Sequence, residues 1–197
     1  QARQFGIVDL MGRAATHTGS LDGAWAGGVT GRVGDLVYAI QGNMVTGAPV
    51  VQQAELALIN TPGDMSQRVM AAMEAARAMG GDGRCSCSPQ QPTSCGSPPA
   101  NFTKSAHVGF FVIARPGDEP SCSFSSCGNG DLFLVINKAG LVASSPDPVF
   151  EIRTKFDQWR NDLDNRPDGN QSSVFAWSHE VPPGSSTPLS FVIDLAD

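Results

Sequence analysis

The chain has 197 residues, 41% of them hydrophobic, and Lys+Arg 13 against Asp+Glu 19 leave a net charge of −6. That is the size of one ordinary domain that can bury a core, with room for an appended lobe. No stretch concentrates basic residues as a phosphate-binding surface requires, so nucleic acid is not an expected partner, and no apolar run approaches the length that crosses a bilayer.

In chain order, Phe5 to Leu10 predicts a first strand, Met11-Gly12-Arg13 a turn and Ala14 to Thr18 the return strand. The Gly-rich SLDGAWAGGVTGRVGD that follows is expected to be a loop passing close to other backbone. LVYAIQGNMV reads as a buried strand, and Val50 to Ile59 as an amphipathic helix with Pro49 in its first turn. A second helix, MSQRVMAAMEAARAM, sets Met65, Val69, Met73 and Ala76 on one core-facing stripe; Asp64 is its N-cap and Gly80-Gly81 its stop. SAHVGFFVIARPG has the apolar run of a strand buried on both faces, with DLFLVINKAG as its partner. In SPDPVFEIRTKFDQWRNDL, Pro148 sits in the first turn and Val149, Ile152, Phe156, Trp159 and Leu163 recur at helical spacing. The tail offers two short strands around a Pro/Ser loop, as a terminal hairpin or an extended arm.

The five cysteines all fall between Cys85 and Cys127, in Ser/Pro/Gly-rich segments. One reading is local disulfides, with Cys122 to Cys127 the easiest closure and Cys95 bonded to Cys85 or Cys87, which leaves one cysteine over. The other is a metal site from Cys85, Cys87 and His107, disfavoured because C-x-C lacks structural zinc spacing. Disulfides place the protein outside the cytosol, extracellular or periplasmic. The expected division is a domain over 1–163, with Cys-rich loops at 82–101 and 117–130, and a C-terminal β extension over 164–197.

Candidate binding residues are few. Asn43, at the end of a buried strand in QGNMVTG, can offer an amide to a substrate carbonyl or oxyanion, or else satisfy turn backbone; Gln41 is a weaker candidate of the same kind. Asp82 and Arg84 in GGDGRC can orient each other or a ligand carboxylate, or simply pair to fix the loop. His17 in THTG, His107 and His179 lie in no legible triad order and read as surface or structural histidines. DLDNRPDGN departs from a calcium loop at Arg166, where an oxygen ligand is needed. No metal or cofactor is called for by these residues.

The ordered set RQFGIVDLMGRAATHTG, WAGG, YAIQGNMVTG and GGDGRC, from Arg3 to Arg84, resembles a bacterial and archaeal family known as domain of unknown function 1028; SAHVGFFVIARPGD, GNGDLFLVIN and DPVFEIRTKFDQWR resemble its longer, secreted members. The resemblance implies an α+β fold, the four-layer α/β/β/α sandwich of the N-terminal nucleophile (Ntn) hydrolases. In that superfamily a leading Thr, Ser or Cys attacks an amide with its own α-amino group as base. Gln1 is no nucleophile, and similar proteins carry strands and a helix ahead of the position matching Arg3. The expectation is therefore a chain lacking that segment, with its nucleophile elsewhere.

Two functions follow. One is a secreted amidohydrolase or peptidase acting on peptides, amino-acid amides or cell-wall fragments. The other is a non-catalytic extracellular structural or binding module that assembles through sheet edges, as a homo-oligomer or with its own N-terminal segment, with LSFVIDLA offered to a neighbour.

Overall fold

A computed structural model describes residues 1–114, 132–138, 144–161 and 189–194, the last as backbone only. The elements are β1 (Gln4–Val8), β2 (Ala14–Thr18), β3 (Trp25–Val33), β4 (Leu36–Val45), α1 (Ala48–Asn60), α2 (Met65–Ala78), α3 (Gly83–Ser86), β5 (Gly109–Ile113), β6 (Leu134–Lys138), α4 (Pro148–Asn161) and β7 (Leu189–Asp194). They form a mixed α+β fold in which small sheets carry helices. The sheets are β1-β2, β3-β4-β7 and β5-β6, all antiparallel except for the parallel β4/β7 pair.

The opening hairpin forms with Gly12 at φ 77°, the left-handed conformation its turn demands. Asp9 closes that turn by accepting from the Met11 and Arg13 amides. Strand β4 is the centre of the molecule, buried from Leu36 to Gly42. Its side chains alternate between two covered faces. Leu36, Tyr38 and Ile40 join the core with Val50, Ala54 and Leu58 of α1 and Met70 of α2. On the other face lies the hairpin, where Gln4 donates to the carbonyls of Gly27 and Gly42 at 3.3 and 3.0 Å.

The Gly-rich segment is where the sequence expectation fails: Trp25–Val33 is a nine-residue strand paired with β4 along its length. Its glycines make room for larger neighbours. A Cβ on Gly28 would stand 3.0 to 3.1 Å from Ile40 O, Gln41 Cβ and Thr16 Cβ, and one on Gly31 would overlap the Tyr38 ring. Low strand propensity is overridden because bare backbone lets the hairpin and Tyr38 close in.

Helix α1 begins with Pro49 in its first turn. Helix α2 carries a capping box: Asp64 accepts from the Ser66 and Gln67 amides while Gln67 reaches back to the Asp64 amide. It ends where Gly80 and Gly81 adopt φ 103° and 55°. Val69 and Ala76 of its predicted stripe are buried, and Met65 and Met73 pack against the core.

Helix α4 lies against β5-β6, with Ile152 and Phe156 fully buried and Phe111 5.6 Å from Phe156 between ring centroids. Strand β5 is covered on one face only: Phe111 and Ile113 are buried, whereas Phe110 is 66% exposed. The expectation of burial on both faces fails because, among the described residues, its sheet has two strands with α4 on one face. Leu163 lies outside the described residues. In the tail, Leu189–Asp194 is not a loose arm: it pairs in parallel with Leu36–Gln41 of its own chain. The earlier tail strand, the 117–130 loop and the DLDNRPDGN turn lie outside the described residues.

Candidate functional site

The residues singled out in sequence converge on one end of β4. There Met44 is a bulged residue at φ 61°, an unfavourable backbone for a side chain without local compensation, set between the Trp25↔Val45 and Ala26↔Asn43 pairs. Val45 then pairs with Asp82 in an isolated antiparallel bridge, and the Thr46 amide donates to Gly81 O at 3.1 Å. The Asn43 segment and the Asp82–Arg84 loop are thus held side by side.

Their side chains fare differently. Asp82 caps α3 and is gripped by its neighbour: the Arg84 amide and Nε donate to Oδ1 at 2.8 and 3.0 Å, and Nη2 donates to Oδ2 at 2.7 Å. Asp82 is 4% exposed, and this bidentate pair clasps the loop at the start of α3. Asn43 is the opposite case. Its Oδ1 is buried without a hydrogen-bond partner, and its side chain makes no hydrogen bond among the described residues. Gln41 beside it is fully buried.

Behind the clasp lies a polar knot that the sequence reading missed. The Ser105 carbonyl accepts from the Asp82 amide at 2.8 Å, and the Ser105 amide donates to Asp147 Oδ2 at 2.7 Å. Asp147, with no side-chain exposure, also takes the Val149 amide at the start of α4 and stands 3.2 Å from Arg77 Nε, a separation for charge attraction without hydrogen-bond alignment. The Arg77 guanidinium lies 3.7 Å from the Phe150 ring centroid. Asp147 therefore ties α2, α4 and the 104–105 segment together. The one available signal was Asp147-Pro148, an N-cap followed by a first-turn proline.

Cys85 is a half-buried free thiol, and Cys87 and Cys95 form a disulfide. Of the two pairings left open for Cys95, Cys87 is the one made, and its disulfide removes Cys87 from any set with Cys85 and His107. Burial, with the negative charge of Asp82 adding to it, pushes the Cys85 thiol up to about 12. No group of three or more His, Cys, Asp or Glu able to hold a metal occurs among the described residues. Cys122, Cys127 and His179 lie outside those residues. His107 is exposed, and His17 is an exposed residue whose ring stacks on Phe5 at 5.1 Å. No helix among the described residues is long and apolar enough to cross a membrane.

Residues 1–90 match the model of DUF1028, a family of unknown function. The DUF1028 match runs from the hairpin through α3 into the disulfide-bonded loop, so it contains Asn43, the Met44 bulge and the Asp82–Arg84 clasp, and stops before Ser105 and Asp147. No curated protein and no solved structure matches the chain.

Proposed function

We propose that this chain holds the substrate of a secreted amidohydrolase or peptidase of the Ntn type, built on the four-layer α/β/β/α plan. The observation that carries the reading is Asn43: an amide left without a partner at the end of the central strand, beside a bulge at Met44 φ 61°. An unpartnered buried amide costs stability and calls for an explanation. A substrate N–H would satisfy Asn43 Oδ1, with the Nδ2 of the same amide as the donor to the substrate carbonyl or its oxyanion. The second feature that supports the reading is the resemblance of the first half to a family placed with such hydrolases. The Cys87–Cys95 disulfide supports a location outside the cytosol.

Native secreted material assayed against amino-acid amides, short peptides and peptidoglycan fragments tests this. Turnover is expected, with Asn43→Ala lowering kcat/KM on the order of 10²-fold at an unchanged melting temperature. No turnover on any amide, or full activity in Asn43→Ala, overturns the reading.

A further inference from the structure

The opening hairpin covers the face of β4 that carries Gln41 and Asn43. A Cβ on Gly28, across the ladder from Gln41, would touch both Gln41 and Thr16 of the hairpin. Pairing stays regular from Gln41 to Asn43, so these two residues share that face. Between them stands the Gly27↔Gly42 pair, and Gln4 reaches it from the hairpin, its Nε2 donating to Gly27 O, Gly42 O and Thr18 Oγ1. An atom set against two backbone carbonyls can only be the donor end of the side chain, which fixes Oε1 as an acceptor. Gln4 Oε1 and Asn43 Oδ1 are both buried with no hydrogen-bond partner among the described residues. Both residues are half-buried as a whole, so this polar layer lies at the margin of the fold rather than sealed inside it.

Two carboxamide oxygens call for N–H groups. Asn43 also has its Nδ2 donor to give. One carboxamide can engage both ends of another in a flat hydrogen-bonded ring, with Nδ2–H donating to the ligand's carbonyl oxygen and a ligand N–H donating to Oδ1. That ring needs the ligand's N–H on the same side of the C–N bond as its carbonyl oxygen. A primary carboxamide always has such a hydrogen, whereas in a trans peptide bond a carbon takes its place. The second hydrogen of a primary carboxamide points away from the carbonyl and is left for Gln4 Oε1.

We propose that the layer between the hairpin and β4 binds a primary carboxamide, R–CONH2, ringed by Asn43 and held at its outer N–H by Gln4 Oε1. The proposal rests on the reading of Asn43 as a substrate contact and narrows it to one class of amide. Hydrolysis then breaks the C–N bond of R–CONH2, water supplies the hydroxyl to the carbonyl carbon and its other hydrogen to the nitrogen, and ammonia leaves.

L-Alaninamide and L-alanine N-methylamide differ by one methyl, set where the pairing hydrogen stood, and share the same ammonium group. Both are titrated by NMR into the isotope-labelled full chain at neutral pH. Alaninamide is expected to bind at least about tenfold more tightly, because the methyl leaves Asn43 Oδ1 unpaired, and to move the side-chain amide signals of Asn43 and Gln4. Asn43→Ala is expected to remove the preference at an unchanged melting temperature; the comparison of the two ligands in wild type needs no variant to fold. No binding of alaninamide, equal binding of the two ligands, which would put the ammonium in the site, or a preference that survives Asn43→Ala overturns the proposal. Turnover by native secreted material separates it from the hydrolase reading. Ammonia from alaninamide without methylamine from the N-methylamide is the expected result. Methylamine released as readily overturns the carboxamide site and leaves the hydrolase, while selective binding with neither product supports the site and overturns the hydrolase.

Discussion

At the scale of single residues, the same chemical type does different work depending on what surrounds it. Asp82 and Asp147 are both buried carboxylates that accept backbone amides and stand against a guanidinium, whereas Asn43 Oδ1 is buried with no hydrogen-bond partner among the described residues. Cys85 shows how far burial can reset reactivity. Its thiol is raised from 9.0 to about 12, so the thiolate that alkylating reagents need is scarce at neutral pH. Labelling of native Cys85 by iodoacetamide at about pH 8 is expected to run on the order of 10²-fold or more below the rate in denaturant. The same shift fixes a sign. As the unfolded chain's thiol releases its proton before the folded one does, Cys85 makes stability fall as pH rises from 9.0 toward 12. Tyr38, raised from 10.0 to about 12 chiefly by burial and then by its hydrogen bond to Glu55, adds to that fall above pH 10. Urea titrations of Cys85→Ser are expected to show a shallower alkaline decline than wild type, with the tyrosine share remaining.

At the scale of elements, short-range signals and packing carry separate shares. The α2 capping box is written in Asp64 and Gln67, and the structure adds Arg160 of α4, which donates to Asp64 Oδ2 at 2.6 Å and so ties one helix start to another helix's last turn. Strand β3 is the opposite case, a Gly-rich run made into a strand by what lies above and below it. Gly28→Val tests this directly. Its Cβ alone would meet Thr16, Gln41 and Ile40 at 3.0 to 3.1 Å, and the added methyls force the hairpin off the sheet. A loss of about 2 kcal/mol in urea unfolding is expected, with the fastest gain in amide exchange on β1 and β2. An unchanged midpoint would mean that the hairpin is not held by this close approach.

At the scale of the whole molecule, the parallel pairing of β7 with β4 decides how the ends of the chain relate. A strand separated from β4 by more than a hundred residues covers the edge of the central sheet along Leu36–Gln41. Ending the chain at Thr187 is therefore expected to destabilise the domain and promote association through the uncovered β4 edge. Thermal melting and light scattering would check this. A truncated chain as stable and as dispersed as the full one would show that β7 contributes nothing to that sheet.

The apolar run of Leu36 to Val45, the cap at Asp64, the stop at Gly80-Gly81 and the periodicity of Val149, Ile152 and Phe156 are local patterns. They depend on residues at most a few positions apart, so the sequence by itself determined a mixed α+β domain, the places of α1, α2 and α4, and the β1-β2 and β5-β6 pairings. Only the tertiary structure decided that the Gly-rich segment is β3, that β7 lies along β4, and that Arg84 and Asp82 pair with each other while Asn43 Oδ1 is buried without a partner among the described residues. Each of these rests on contacts between distant segments, which displace local propensity and settle which polar groups find partners.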